Sequence, residues 1–260
     1  MQIAGTSLKP LALWRSDVSF TKAREFASSL AATVVRAGSG GRVTSVGPRP
    51  ADTLIVYEME NCPFSRLVRE ALSELDLDAV IKPCPPGEER HRTELQELTG
   101  RQTVPYLIDR GLGIALHESA RIVRHLFTHY GSGRVPFRFA QPALWTSKLA
   151  SQLRGGKRAY EAPAARPVFP LELWNYEGSP YCRLVREQLD AHGLSYVSHN
   201  LARQSPRRAA FLECFGKLQF PCLYDPNVER SLFETESILE HVRSLYLEAK
   251  PGSGEPEARA

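Results

Sequence analysis

A chain of 260 residues, 42% hydrophobic and 24% charged, has the make-up of a soluble globular protein and can form one large domain or two of ordinary size. Its formal net charge of +4 is too slight to argue for a nucleic-acid partner, and no run approaches the roughly 20 apolar residues of a membrane span. Five cysteines at irregular spacing, with no CxxC, read as neither a disulfide framework nor a zinc site, and suit a reducing, cytoplasmic setting.

Residues 1–50 form an N-terminal extension. Its Arg, Ser and Ala content faintly suggests an organellar address, against which Asp17 and Glu25 argue. Residues 20–36 read as an amphipathic helix ending in glycines. From 51 to 131 the pattern is β-α-β-α-β-β-α. "TLIVYEM" (53–59) is a short apolar, β-branched run and hence a strand. Pro63 then stands where a first-turn proline is tolerated, and Leu67, Val68, Ala71, Leu72 and Leu75 share one helical face. "DAVIKP" (78–83) is a second strand followed by a polar helix, "DRGLG" (109–113) lies within a β-hairpin, and a last helix closes the unit. On that helix His125 and His129 are four apart with no third ligand nearby, so they read as a solvated face rather than a metal site.

Residues 132–168 are a linker carrying a second bracing helix (141–154), and 169–248 repeat the pattern. "RLVRE" recurs without change, Arg66–Glu70 as Arg183–Glu187; "TVPYLID" (103–109) matches "QFPCLYD" (219–225), Gly100 matches Gly216, and "ALHESARIVRHL" (115–126) matches "SLFETESILEHV" (231–242). Landmarks in the same order at a nearly constant offset indicate tandem duplication, with two domains rather than a solenoid. They are expected to pack as a pseudo-dimer within one chain. Residues 249–260, rich in Pro, Gly and Glu, read as a disordered tail.

The copies differ where chemistry is expected. Cys62-Pro63-Phe64-Ser65 becomes Ser179-Pro180-Tyr181-Cys182. A cysteine where a strand ends and a helix begins meets unpaired amides and a partial positive charge, which favour the nucleophilic thiolate. Arg66 and Arg69 follow within two turns and are expected to add to that effect. Ser179 is a good helix cap but, without a base, a poor nucleophile. Cys182 lies one turn deeper, where Cys222 is a candidate redox partner against the default of small core residues. Cys84 and Cys214 carry no motif.

Together the strand-Cys/Ser-Pro-aromatic-helix turn, the "VP" or "FP" before a strand and the "ES" or "ET" opening the last helix resemble the thioredoxin fold of glutaredoxins and glutathione S-transferase (GST) N-terminal domains. The resemblance covers residues of about 53–130 and 170–247. It implies an α/β chain of two tandem thioredoxin-like domains, to which the repeated linkers add a bracing helix before each. The sequence departs from the family in having only about 40 residues after copy one and a tail after copy two, so no all-helical GST C-terminal domain is expected. The resemblance also implies cis peptides at Pro105 and Pro221, with the Val104 and Phe220 backbones pairing with an extended peptide such as glutathione. Glu118-Ser119 and Glu234-Thr235 would hold its γ-glutamyl end. Ser65 replaces a second cysteine, so Cys62 would exchange through a mixed disulfide that external glutathione resolves. The implied glutathione-binding residues are Ser65, Arg66, Val104, Pro105, Glu118 and Ser119 around catalytic Cys62. In copy two they are Ser179, Cys182, Phe220, Pro221, Glu234 and Thr235.

Three classes of function fit. One is a glutathione-dependent thiol oxidoreductase acting on a glutathionylated protein, with copy two for binding or support. The second is a transferase-like enzyme taking a small electrophile in an interdomain pocket, and the third is a non-catalytic glutathione- or protein-binding module. With no helical domain to line an electrophile pocket, any cleft must form between the copies or against the bracing helices. An iron–sulfur role, shared through one cysteine and glutathione as in monothiol glutaredoxins, is disfavoured by Pro63, where those proteins carry a small residue.

Overall fold

The computed structural model describes residues 12–139, 141–154 and 160–248, so the expected disordered tail over 249–260 lies outside the described residues. Helix α1 (Ala12–Val35) precedes the first copy and starts earlier than the periodicity indicated. Copy one then runs β1 (Leu54–Glu58), α2 (Pro63–Glu74), β2 (Ala79–Pro83), α3 (Arg90–Thr99), β3 (Tyr106–Asp109), β4 (Ile114–His117) and α4 (Ser119–Tyr130). A short 3-10 turn (Phe137–Phe139) leads into α5 (Gln141–Leu153). Copy two runs β5 (Leu171–Asn175), α6 (Pro180–Ala191), β6 (Tyr196–Asn200), α7 (Arg208–Phe215), β7 (Cys222–Asp225), β8 (Arg230–Phe233) and α8 (Thr235–Val242). Among the described residues no helix is long and apolar enough to cross a membrane.

The eight strands form one sheet in the order β4-β3-β1-β2-β6-β5-β7-β8. Within each copy the first two strands are parallel, joined by the crossover helix that parallel pairing requires, and the hairpin adds antiparallel to the first strand. The copies meet where β2 and β6 pair antiparallel, Val80 opposite Val197. The two halves therefore share one continuous sheet about a pseudo-two-fold axis.

Each half is three-layered. The apolar faces of α2 and α4, and of α6 and α8, cover one side of the sheet around Leu54, Val68, Leu72, Leu171 and Val185. On the other side α3 seals Tyr57, Cys84 and Tyr106 with Leu95, and α7 seals Leu201 and Cys222 with Phe211. The polar faces of α2 and α6 do not reach solvent. Ser65, Arg66, Arg69, Glu70, Ser73 and Glu74 are all buried, because they face the seam between the copies.

The bracing helices cross that seam. Helix α1 precedes copy one but packs on α6 of copy two, where Ser29 Oγ donates to the Pro180 carbonyl at 3.0 Å. Helix α5 precedes copy two but packs on α2 of copy one, where Ser147 Oγ donates to the Pro63 carbonyl at 2.7 Å. The arginine just past each helix returns to the opposite half. Arg36 grips Glu70 in copy one (Nε–Oε1 2.8 Å) and Arg154 grips Glu187 in copy two (2.7 Å). At this crossing a Cβ on Gly178 would lie 2.5 Å from the Gly41 Cα, so that close approach requires glycine.

Candidate functional site

In copy one Cys62 is the N-cap of α2, with extended backbone (φ −77°, ψ 122°). Its amide donates to the Met59 carbonyl and its carbonyl accepts from the Arg66 amide, each at 3.0 Å, while its thiol makes no capping bond. The sulfur-bearing side chain is nearly buried, and the wall of the adjacent cleft begins two residues on, at half-exposed Phe64. The cleft has a volume of about 1080 Å³. Val104 and Pro105, joined by a cis bond, form one edge, and Glu118 and Ser119 another. Arg101 and Arg124 make its charge positive at that end. Val135, Phe137, Phe139 and Leu144, from the 3-10 turn and α5, build an apolar wall opposite.

Glu118 caps α4 with φ +78°, a conformation few residues other than glycine adopt, and Glu234 repeats it at +70°. Such backbone outliers cluster at ligand sites because only a surrounding fold that needs them keeps them. His117 also faces this cleft; its ring lies 4.4 Å from Tyr106, and burial together with Arg101 lowers its pKa. The sequence reading passed over it, since its partner in copy two is Phe233.

Two of the residues expected around Cys62 lie elsewhere. Ser65 is fully buried, its Oγ accepting from the Met59 amide at 3.4 Å. Arg66 is fully buried as well, with Nη1 on Glu177 Oε1 of the other copy at 3.1 Å. Arg69 bonds Glu58, Glu177 and the Glu60 carbonyl. The expectation that these arginines assist the thiolate is therefore corrected: the helical turn that follows Cys62 carries its polar face into the seam.

Copy two repeats the geometry with different chemistry. Ser179 caps α6, and its Oγ accepts from the Cys182 amide at 3.2 Å. Cys182 is fully buried, which raises its thiol pKa, and burial pushes Cys222 up to about 12. Both are free thiols. The second cleft, about 1100 Å³, is lined by Tyr181, Phe220, Pro221, Glu234 and Thr235, with the Phe26 ring of α1 packed 4.8 Å from Tyr181. The Phe220–Pro221 bond is cis. Ser179 and Cys182 do not reach the lining.

The seam between the two strand-to-helix turns is a buried ionic lattice. Glu60, two residues before Cys62, is gripped by Arg186 of copy two at 3.0 and 3.1 Å. Glu177, two residues before Ser179, is gripped by Arg66 and Arg69 of copy one and by Arg186. Burial alone would raise Glu177, but Arg186, Arg69, Arg183 and Arg66 hold it well below the usual carboxylate range. Burial pushes Glu58 up to about 7 in spite of Arg69, and raises Asp190, beside Glu58 and Glu60, well above an ordinary aspartate. Arg183, buried beside other guanidinium groups, falls to about 10.

A second repeated constellation also escaped the sequence reading. Asp109 accepts from His125 Nε2 and the Tyr130 hydroxyl at 2.8 and 2.5 Å; Asp225 accepts from His241 and Tyr246 at 2.8 and 2.7 Å. Burial would raise both aspartates, and these hydrogen bonds lower them instead. His125 is thus buried and paired rather than part of a solvated face, while its neighbour His129 is exposed. The signal was present, since Asp, His and Tyr recur at one offset in both copies. Among the described residues no three His, Cys, Asp or Glu side chains are grouped to hold a metal.

The family model for the glutathione S-transferase N-terminal domain matches the chain twice, over residues 56–134 and 173–250. The chain belongs to this family. Each GST N-terminal domain match begins inside the first strand of its copy and ends beyond its last helix, in agreement with the two thioredoxin-like halves. A solved structure titled as a unique trimeric glutathione transferase, Leishmania TDR1, is 13% identical, with 80% of this chain and 70% of that chain covered and a TM-score of 0.27. No curated protein matches. Membership among GST N-terminal domains supports a glutathione-related function.

Proposed function

We propose that this protein is a glutathione-dependent thiol oxidoreductase that works by monothiol exchange at Cys62, with copy two as its binding and structural partner. The observation that carries this reading is the contrast at the two N-caps. Ser179 uses its side chain to cap α6, whereas the Cys62 sulfur makes no capping bond and sits two residues before Phe64, where the wall of a cleft also lined by Val104, Glu118 and Ser119 begins. Glutathione, an extended peptide with carboxylates at both ends, suits backbone pairing at Val104, the Ser119 helix start and the Arg101 and Arg124 charges.

In the exchange the Cys62 thiolate attacks the glutathione sulfur of a glutathionylated client. The client S–S bond breaks, and the client leaves as a thiol after taking a proton from water. A second glutathione thiolate then attacks the Cys62 mixed disulfide, releasing oxidised glutathione and restoring Cys62. Ser65 has no sulfur to resolve the intermediate internally.

The apolar wall from Phe137, Phe139 and Leu144 favours a second reading. It could seat a small hydrophobic electrophile beside bound glutathione, in which case the reaction is transfer.

Incubation with oxidised glutathione followed by intact mass and peptide mapping tests the proposal. One glutathione on Cys62, removed by reduced glutathione, is expected; an unmodified Cys62 overturns the redox reading and leaves transfer or binding.

A further inference from the structure

Outside the lining of both clefts, the edge of the seam holds a serine–histidine pair made jointly by the two copies. His91, at the start of α3, is buried with its Nδ1 2.7 Å from the Pro83 carbonyl oxygen. A carbonyl only accepts, so Nδ1 must carry the proton, and Nε2 of the neutral ring is left with a lone pair. Ser195 Oγ, from the loop before β6, lies 2.9 Å from that Nε2. The serine hydroxyl is therefore the donor and the imidazole the acceptor, which is the polarity that activates a serine nucleophile. Glu88 adds a negative charge behind the ring: its Oε2 accepts the His91 amide at 2.8 Å, and its buried Oε1, with no hydrogen-bond partner, is 3.8 Å from Nδ1.

Ser195 is half-exposed and borders a cavity of about 80 Å³. Arg90 and Arg166 border the same cavity, with Pro167, Val168 and Leu194 and no acidic residue. Arg166 is held in place by bonds to the Gly193 carbonyl and the Tyr160 hydroxyl, at 3.2 and 3.1 Å. The pseudo-two-fold shows what this position does when it only braces the seam. With the strands aligned, Asp78 matches Ser195, and with α3 and α7 aligned on Gly100 and Gly216, Arg207 matches His91. There Arg207 and Asp78 form a plain ion pair, Nη1 to Oδ2 at 2.7 Å. One side kept charges that hold the seam, and the other carries a neutral pair opening on a cavity with positive charge.

We propose that Ser195 and His91 form a nucleophilic dyad that hydrolyses small esters with an acetyl-sized acyl group, a negative charge elsewhere on the ester being met by Arg90 and Arg166. Ser195 Oγ attacks the ester carbonyl carbon as its proton passes to His91 Nε2. The bond to the alkoxy oxygen breaks, and the leaving alcohol takes that proton. Water, deprotonated by the same nitrogen, then attacks the acyl-serine, releasing the acid and restoring Ser195, so that ester and water become acid and alcohol. Burial keeps His91 below the usual imidazole range and hence neutral, as a general base must be.

The test uses the full chain and diisopropyl fluorophosphate, whose phosphorus accepts the serine oxygen as fluoride leaves. One adduct is expected, mapped to Ser195, with the labelling rate about 100-fold lower in His91→Gln. Ser195→Ala should lose both the adduct and p-nitrophenyl acetate hydrolysis measured in a Cys62→Ser background, while leaving Cys62 glutathionylation intact in the otherwise unaltered chain. A second measurement needs no variant. Wild-type labelling should fall with acid at a midpoint below the ordinary imidazole range near ~6.5, because burial lowers the His91 pKa. No adduct on Ser195, or a rate that simply follows hydroxide concentration, overturns the proposal and leaves the pair as a brace like Arg207 and Asp78.

Discussion

Cys62 and Ser179 occupy the same point of two folded copies and differ by sulfur for oxygen, yet the consequences run in opposite directions. The Ser179 hydroxyl completes its own helix, whereas the Cys62 thiol leaves its helix uncapped by a side chain. Around them the clefts are close in volume but opposite in charge. Arg101 and Arg124 outnumber Glu118 in the first, whereas Glu25, Glu187, Glu234, Glu236 and Glu240 outnumber Arg243 in the second. What both copies retain is deeper in the fold, namely the Asp–His–Tyr constellation and the cis-proline edge. Duplication here preserved the frame and released the rim of one copy to change.

The first way to break the comparison is to make the copies alike. Cys62→Ser should abolish the glutathione mixed disulfide and all thiol exchange, whereas Cys182→Ser should leave both at the wild-type level in a fluorescent deglutathionylation assay. Equal loss in the two variants would show that copy two is redox-active too.

Next in size is the clamp. Glu177→Ala leaves Arg66, Arg69 and Arg186 buried without their shared carboxylate, and should cost about 3–5 kcal/mol in urea unfolding. Glu240→Ala, which removes only an exposed pair with Arg243, should cost about 0.5 kcal/mol or less. If the clamp also holds the Cys62 turn, exchange at Cys62 should weaken with Glu177→Ala although the substitution is in the other copy.

The third concerns Glu58, whose counterpart in copy two is Asn175. Its folded pKa is raised from 4.5 to about 7, so the protonated form is the one the fold favours. The stability it contributes is full below about 4.5 and is lost as pH rises through about 7. Glu58→Gln keeps the uncharged form at every pH. Between pH 5 and 8 its unfolding free energy should therefore gain on the wild type by an amount on the order of 1–3 kcal/mol. A constant difference would mean Glu58 is ionised throughout.

The smallest effect sharpens the starting contrast. Ser179→Ala removes a capping bond and should lower stability by about 1 kcal/mol, whereas Cys62→Ala removes none and should change it less. The reverse order would mean that the Cys62 sulfur caps its helix after all.

Much of this architecture was legible because duplication printed each element twice. Strands, helices and the opening of each last helix followed from apolar periodicity and matched landmarks, and both cis-prolines from what the family resemblance implied. The direction of the arginines was not legible. "RLVRE" shows that Arg66 and Arg69 share a polar face, but a polar face normally meets water, and only the pairing of β2 with β6 turns it inward onto Glu177. His125 was misread for a related reason. Its partner Asp109 comes from a strand, so local spacing is silent and only the recurrence of Asp, His and Tyr in both copies carries the signal.

The exchange of bracing helices also sets an order of events during synthesis. Ser29 and its partner Pro180 are 151 residues apart, so α1 leaves the ribosome long before its seat on α6 exists. Copy one and α5 are contiguous and can assemble as they emerge, and α1 can join α5 at that stage, but its seat on α6 is filled only once the second half is made. The exchange is thus completed late, and a nascent chain stopped before residue 180 should leave the α6-facing side of α1 open to proteases that spare the finished protein.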